Sequence, residues 1–421
     1  MTETALLRTY ARQLFDAAVK AADPARAVQR GFAQAPVPPP GPNGRTFVIA
    51  IGKAAPAMLR EALVQIPDAH GAFAVTHHEN TDTVPKAQVL RAGHPVPDEA
   101  GRRAAQTVIS TLSETTEHDR VIALISGGGS ALLPAPPAPV SLSDKARLND
   151  LLLSAGLDIV QMNMIRQQVS LLKGGGLLRL AAPAPVHAYL LSDVIGDDLR
   201  AIASGPTVSP IGTAEDAISV LMSAGLWDAL PASIRAHLQQ KSTRPADPAP
   251  VAQNTLIGSN RQSLDAMAEK AQALGLEPKI VNAALVGDVA DAAKEVLACL
   301  HPTSRKTAFL FGGETTVKLT GDGRGGRNQE LALRVARGAP GTDATWVFLS
   351  GGTDGRDGPT DAAGGVVDAG TRSRAAAAGV DLDALLANND SFAALAAAGD
   401  LLITDATGTN VADVQALLIA P

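Results

Sequence analysis

A chain of 421 residues, 46% hydrophobic and 19% charged, is too long for one ordinary core and has enough apolar side chain to build more than one. A net charge of -6 with only 3% aromatic residues excludes a basic field and a stacking surface, and with them nucleic acid as the main partner. A single cysteine, Cys299, excludes an internal disulfide; residues 1–7 lack a secretory leader and no apolar run is long enough to cross a bilayer, so a cytoplasmic protein with no membrane partner is expected.

Apolar residues recur at helical spacing over 4–22, and residues 45–52 read as a buried strand ending in a turn, with a helix starting near Lys53. Strands follow at 71–76, 88–93, 120–126 and 186–193, with helices at 98–112 and between 143 and 180, which is a parallel α/β pattern. The stretch 231–254 is rich in proline, alanine and polar residues, most of all at 243–250, and predicts a domain boundary near 245. The expected domains are therefore 1–245 and 246–421. In the second, strands at 255–257, 279–282, 306–311, 345–350 and 401–404 alternate with helical runs, one of them the alanine-rich segment 374–379. Residues 309–319 carry two strand-like runs around Gly312-Gly313 and predict a hairpin, so the second sheet should be mixed.

Ligands of open α/β sheets gather at the carboxyl ends of strands, and here those ends are rich in glycine. Ser126-Gly127-Gly128-Gly129-Ser130 follows one strand, Gly312-Gly313-Glu314-Thr315 another, residues 350–355 a third, and 405–410, ending in Asn410, repeat the style. Glycine lets backbone amides approach phosphate oxygens, and the flanking hydroxyls add donors, so together these loops point to a phosphorylated ligand. Gly52-Lys53 is no Walker A loop, because Ala54 stands where serine or threonine is needed. Residues 321–326 have the spacing of a dinucleotide fingerprint but follow a polar strand and lack a suitably placed acid.

Lys53 at the end of an apolar strand would face phosphate oxygens, the competing reading being a solvated helix-start lysine. Arg327 opens a helix that runs on from Asn328, where the dipole disfavours a cation, so an anionic partner is expected, with Arg324 as a competitor. Asp193 at a strand end is suited to accept a hydroxyl proton or to hold magnesium; Asp197 and Asp198 read as loop and capping residues. Glu314 and Asp354 are further candidate magnesium ligands by charge and hardness. Lys173, ahead of Gly174-Gly175-Gly176, either contacts phosphate or closes a helix. His77-His78-Glu79 lacks a third metal ligand at recognisable spacing, His94 reads as a turn residue near ligand, and Cys299 reads as a buried small side chain with no activating context.

Taken together, residues 50–55, 125–132, 191–197, 202–207, 312–316, 325–330 and 353–355 resemble the glycerate 2-kinases, whose C-terminal half is called the MOFRL domain. The resemblance spans nearly the whole chain. It implies a Rossmann-like N-terminal domain with a mainly parallel sheet, a smaller mixed-sheet α/β C-terminal domain, and an active site in the cleft between them. It further implies that Lys53 and Arg327 match the family's cleft lysine and arginine. ATP and Mg2+ are the implied cofactors and D-glycerate the substrate, its 2-hydroxyl attacking the γ-phosphorus in line. Asp193 would orient or deprotonate that hydroxyl, Lys53 would neutralise the transferring group, and Arg327 would clamp a carboxylate or phosphate. Which loops hold adenine, whether Asp193 is base or metal ligand, and whether the chain forms a homodimer stay open. The competing functions are an NAD(P)H-dependent hydroxypyruvate reductase, a name family members have carried, and a catalytically silent nucleotide-binding protein.

Overall fold

The computed structural model describes residues 2–240 and 251–421. The chain divides into two compact units, one of Pro24–Ile257 and one that combines Met1–Asp23 with Gly258–Pro421.

The first unit is built on strands β1 (Thr46–Ile51), β2 (Gly71–His77), β3 (Gln88–Ala92), β4 (Arg120–Ile125), β5 (Val186–Leu191) and β6 (Gln253–Gly258), in the order β3-β2-β1-β4-β5-β6. The pairs β1–β2, β1–β4, β2–β3 and β4–β5 are all parallel. Every residue of β1 is buried, as the unbroken apolar run implies for a strand covered on both faces. This is the strand order of doubly wound dinucleotide folds, and its direction of winding reverses between β1 and β4. Four further helices, Leu142–Ser154, Ile159–Gln168, Ala214–Ser223 and Ala232–Gln239, pack their apolar faces into a separate small core around Leu148, Leu152, Ile165, Leu221 and Ile234.

The second unit holds β7 (Glu277–Asp288), β8 (Thr307–Thr316), β9 (Thr345–Gly352), β10 (Ala362–Asp368), β11 (Leu401–Ile403) and β12 (Asp413–Ala420), in the order β11-β10-β9-β12-β8-β7. Only β7–β8 is parallel, so the sheet is mixed. The helix Glu3–Ala21 lays Leu7, Leu14 and Phe15 on one face with Leu310, Leu349 and Leu418, and the helix Arg327–Gly338 covers the other with Leu331, Leu333 and Val335.

Three expectations change. The 255–257 segment is β6 and belongs to the first sheet, and the first helix belongs to the second unit, because its apolar stripe fits that sheet. The boundary near 245 lies outside the described residues. The hairpin at 309–319 is instead the single strand β8: a Cβ at Gly313 would lie 2.2 Å from the Leu285 carbonyl oxygen, so the glycine pair admits the irregular neighbour β7, whose register shifts beside it, rather than turning the chain. Finally, β10 and β12 were not anticipated, although β12 is buried at every position and pairs with both β8 and β9. Among the described residues no helix is long and apolar enough to cross a membrane.

The position of the first helix is open to measurement. Leu14→Ala should destabilise the second unit by about 2–5 kcal/mol, seen as an earlier urea transition of buried Trp346 fluorescence in a Trp227→Phe background. An unmoved Trp346 transition would detach that helix from this core.

Candidate functional site

At the switch point of the first sheet, β1 and β4 end side by side and their loops are tied together. Ser126 donates its backbone N–H to Ile51 (2.8 Å), and the Lys53 N–H donates to the Gly127 carbonyl (2.9 Å). Gly52 sits at φ +124, and a Cβ there would lie 2.2 Å from the Ser126 hydroxyl, so only glycine fits this crossing. Ser126 is buried and its Oγ accepts from the Ala54 N–H at 3.2 Å. Its hydroxyl therefore braces the loop from inside.

Gly127, Gly128 and Gly129 each press against a different neighbour. A Cβ on Gly127 would lie 2.1 Å from Oδ2 of Asp193, one on Gly128 would meet the His94 ring and the Lys53 stem at 3.1–3.2 Å, and one on Gly129 would meet Ala203 at 2.9 Å. Asp193, two residues beyond the end of β5, thus holds its carboxylate directly against the glycine loop. Lys53 is half-buried, and among the described residues no carboxylate forms an ion pair with it. Burial, with Lys53 and His77 adding their positive charge, lowers His94 to about 4, so its ring is neutral at physiological pH. Burial also lowers His77, with Glu79 opposing and Lys53 assisting. Beyond the loop, Lys173 is buried and donates to the Ser130 hydroxyl at 2.6 Å, and Ser130 bonds Ser204 at 2.9 Å.

In the second unit the helix Arg327–Gly338 starts without a side-chain cap of its own. Asp357 supplies one from elsewhere, accepting the N–H groups of Asn328 (3.1 Å) and Gln329 (2.8 Å). The Arg327 guanidinium turns to protein carboxylates: Nε and Nη2 donate to Asp413 (2.6 and 3.0 Å), and Nη1 donates to Glu314 (2.8 Å). Burial works against that guanidinium's charge, but Asp413, Glu314 and Asp357 outweigh it and hold Arg327 above its ordinary range. Burial pushes the Asp413 carboxyl up to about 6 against the pull of Arg327.

The other expected residues divide. Gly312 and Gly313 are close-approach positions against Asn260 and Leu285, and Asn328 is buried, accepting from Ser350 and reaching Asp357. Thr315 is buried, and among the described residues its hydroxyl has no hydrogen-bond partner. Asp354 and Asn410 make local turns, accepting from Arg356 and Ala412. Of the three carboxylates expected to hold metal, Glu314 is engaged by Arg327, and no cluster of three metal-type ligands occurs among the described residues. The glycine pattern at 321–326 has its own explanation: Cβ atoms at Gly321 and Gly323 would lie 2.3 and 2.4 Å from Asn388, and one at Gly325 would lie 2.2 Å from Ser391. That loop is filled by protein, which counts against a dinucleotide there. Asp413 and Asp357 are outside the expected site residues; Asp413 opens β12, whose apolar run is broken by Gln415, and Asp357 lies in a loop with no comparable signal.

A switch-point glycine loop beside a lysine with no carboxylate partner among the described residues is the arrangement of a phosphate-handling α/β enzyme. "Domain of unknown function (DUF4147)" matches residues 10–239 and the "MOFRL family" matches 307–413. The chain is 38% identical to the glycerate 2-kinase of Pyrococcus horikoshii over 96% of each chain. It is also 38% identical to a putative hydroxypyruvate reductase of Agrobacterium vitis over 98% of this chain and 94% of the other. The crystal structure of glycerate kinase from Thermotoga maritima superposes with a TM-score of 0.91 at 35% identity, covering 99% of this chain and 100% of that one. The chain belongs to the glycerate kinase family with a MOFRL domain.

The Arg327–Asp413 pair sets a pH limit. Because the folded carboxyl lies above the ordinary value of 3.8, its own contribution to stability is full below that value and falls as pH rises through about 6. Acid therefore loosens the pair without this group unfolding the protein. Turnover should fall below pH 6, and Asp413→Asn should flatten that limb and lower kcat by about tenfold or more with little change in the thermal transition at pH 7. An unaltered acid limb in the variant would assign it to another group.

Proposed function

We propose that this protein transfers the γ-phosphoryl group of ATP to the 2-hydroxyl of D-glycerate, giving 2-phospho-D-glycerate and ADP. The observation that carries this reading is the switch point, where Lys53, the Gly127–Gly129 loop and the Asp193 carboxylate meet. The full-length likeness to a glycerate 2-kinase supports the choice of acceptor and position. A reaction drawing on ATP fits the cytoplasm, where we expect the enzyme.

Phosphoryl transfer leaves the protein mainly positioning and charge compensation to do. The glycine loop lets backbone amides approach the phosphates, and the Lys53 ammonium, with no carboxylate partner among the described residues, meets the charge that builds on the transferring group. Asp193 is the carboxylate at that loop and accepts the proton of the attacking hydroxyl or holds the hydroxyl in line. Arg327 keeps its buried bond to Asp413, and an incoming anion would displace the half-exposed Glu314, whose side chain is 49% accessible. Magnesium suits this donor set as an ion delivered on the nucleotide: it is held by one or two carboxylates plus phosphates and water, for which Asp193 is the residue at hand. When bound it neutralises phosphate charge.

Phosphorus NMR of a reaction of D-glycerate, ATP and magnesium should show 2-phosphoglycerate and ADP. Exclusive 3-phosphoglycerate would overturn the regiochemistry, and NADH oxidation by hydroxypyruvate in place of phosphorylation would replace the kinase with a reductase. Lys53→Ala should lower kcat by about 10²–10³ with an unchanged thermal transition, and an unchanged rate would remove Lys53 from the chemistry.

A further inference from the structure

Beside the glycine loop the first unit contains a cavity of about 400 Å³ that neither Lys53 nor Asp193 accounts for. Three basic residues, Lys145, Arg166 and Lys173, line it. Lys145 and Lys173 are 8% and 5% exposed, and each has one hydrogen bond, to the Val169 carbonyl (3.2 Å) and to Ser130 (2.6 Å), which leaves ammonium donors over. Arg166 donates to Asn149. Among the described residues none of the three forms an ion pair with a carboxylate. Buried charges are ordinarily paired. Here they repel instead: burial lowers Lys145 to about 8 with Arg166 assisting, and burial lowers Lys173 well below its ordinary value with Lys145 and Arg166 both adding to the effect.

Pro95, Val96, Pro97, Leu142 and Leu148 add apolar surface to the lining, Asp150 is its one carboxylate, and His94 and Gly128 join the cavity to Lys53. Apolar surface together with three basic side chains that have no carboxylate partner among the described residues fits a ligand that carries both a flat apolar group and several negative charges. A three-carbon acid with one carboxylate offers neither the charge nor the size. We propose that this cavity is the nucleotide subsite, with Lys145, Arg166 and Lys173 seating the polyphosphate and the proline–valine wall facing the base. The assignment rests on the kinase reading and adds to it which ligand occupies the cavity.

The test is calorimetric binding of ADP and of inorganic tripolyphosphate, without glycerate, to the full chain and to Lys145→Met and Arg166→Met. Both ligands should bind about tenfold to a hundredfold more weakly for each charge removed, while the KM for glycerate stays within about twofold. Met fills the Lys145 volume and removes a buried charge that has no carboxylate partner among the described residues, so the ligand-free thermal transition should hold or rise, whereas a purely structural lysine would lower it. Should a variant not fold, amine-reactive footprinting of the wild type serves: ADP, and not glycerate, should protect Lys145. Undiminished ADP binding, a selective rise in the glycerate KM, or protection by glycerate alone would overturn the assignment. Lost ADP binding in the variants of a wild type that phosphorylates no glycerate would keep the subsite and sink the kinase reading instead.

Discussion

The parallel pairing of β1 with β4 is the constraint on which the first unit depends. It places two strand ends, two loops and a reversal of winding at one point, and no side chain can occupy the crossing. Gly52 and Ser126 make that crossing, the first by having no Cβ and the second by holding the Ala54 N–H from below. Lys53 and the Gly127–Gly129 loop are then fixed in position by backbone hydrogen bonds before any ligand arrives. Placement by backbone is what a transferring phosphoryl group requires, since catalysis of this kind is limited by geometry more than by covalent chemistry.

Two groups of basic residues, one in each unit, are held in opposite ways. In the second, Arg327 is held between buried Asp413 and half-exposed Glu314, and the helix it opens is capped by Asp357, so its cation is stored with partners. In the first, Lys53 and the three cavity cations go without carboxylate partners among the described residues. A buried cation without a partner costs stability, and that cost is offset when an anion binds. Only the first arrangement is poised for a highly charged ligand, and the second suits exchange of one carboxylate for another.

The sequence carried the first fold well because its strands are unbroken apolar runs with glycine at their carboxyl ends, as in Phe47–Gly52 and Val121–Gly127. It carried the second less well. β12 follows a polar turn near the chain end and contains Gln415, so its apolar run did not stand out, although it is buried throughout and pairs on both sides. Gly312-Gly313 signalled a turn and proved to be a close approach to β7, two situations that ask the same thing of a glycine and differ only in what lies opposite. Asp193, Lys53 and Arg327 could be picked out by their places at strand and helix ends. Ser126 had the right neighbours but points inward, and that orientation depends on tertiary contact.

Lys145 and Arg166 show why such sites escape a reading based on loops. Both lie within helices, Lys145 on the buried side of Leu142–Ser154 in line with Leu148, Leu151 and Leu152. A lysine in the apolar stripe of a helix is the signal, because the stem can be buried among leucines only if the ammonium has somewhere to go. Its spacing of three from Leu148 marks it, whereas Arg147, on the solvent side, carries no such mark. Glycine loops announce where backbone can approach a phosphate. Misplaced cations in amphipathic helices announce where side chains do, and here Lys145 and Arg166 line one cavity with Gly128 and Ser130 of the glycine loop.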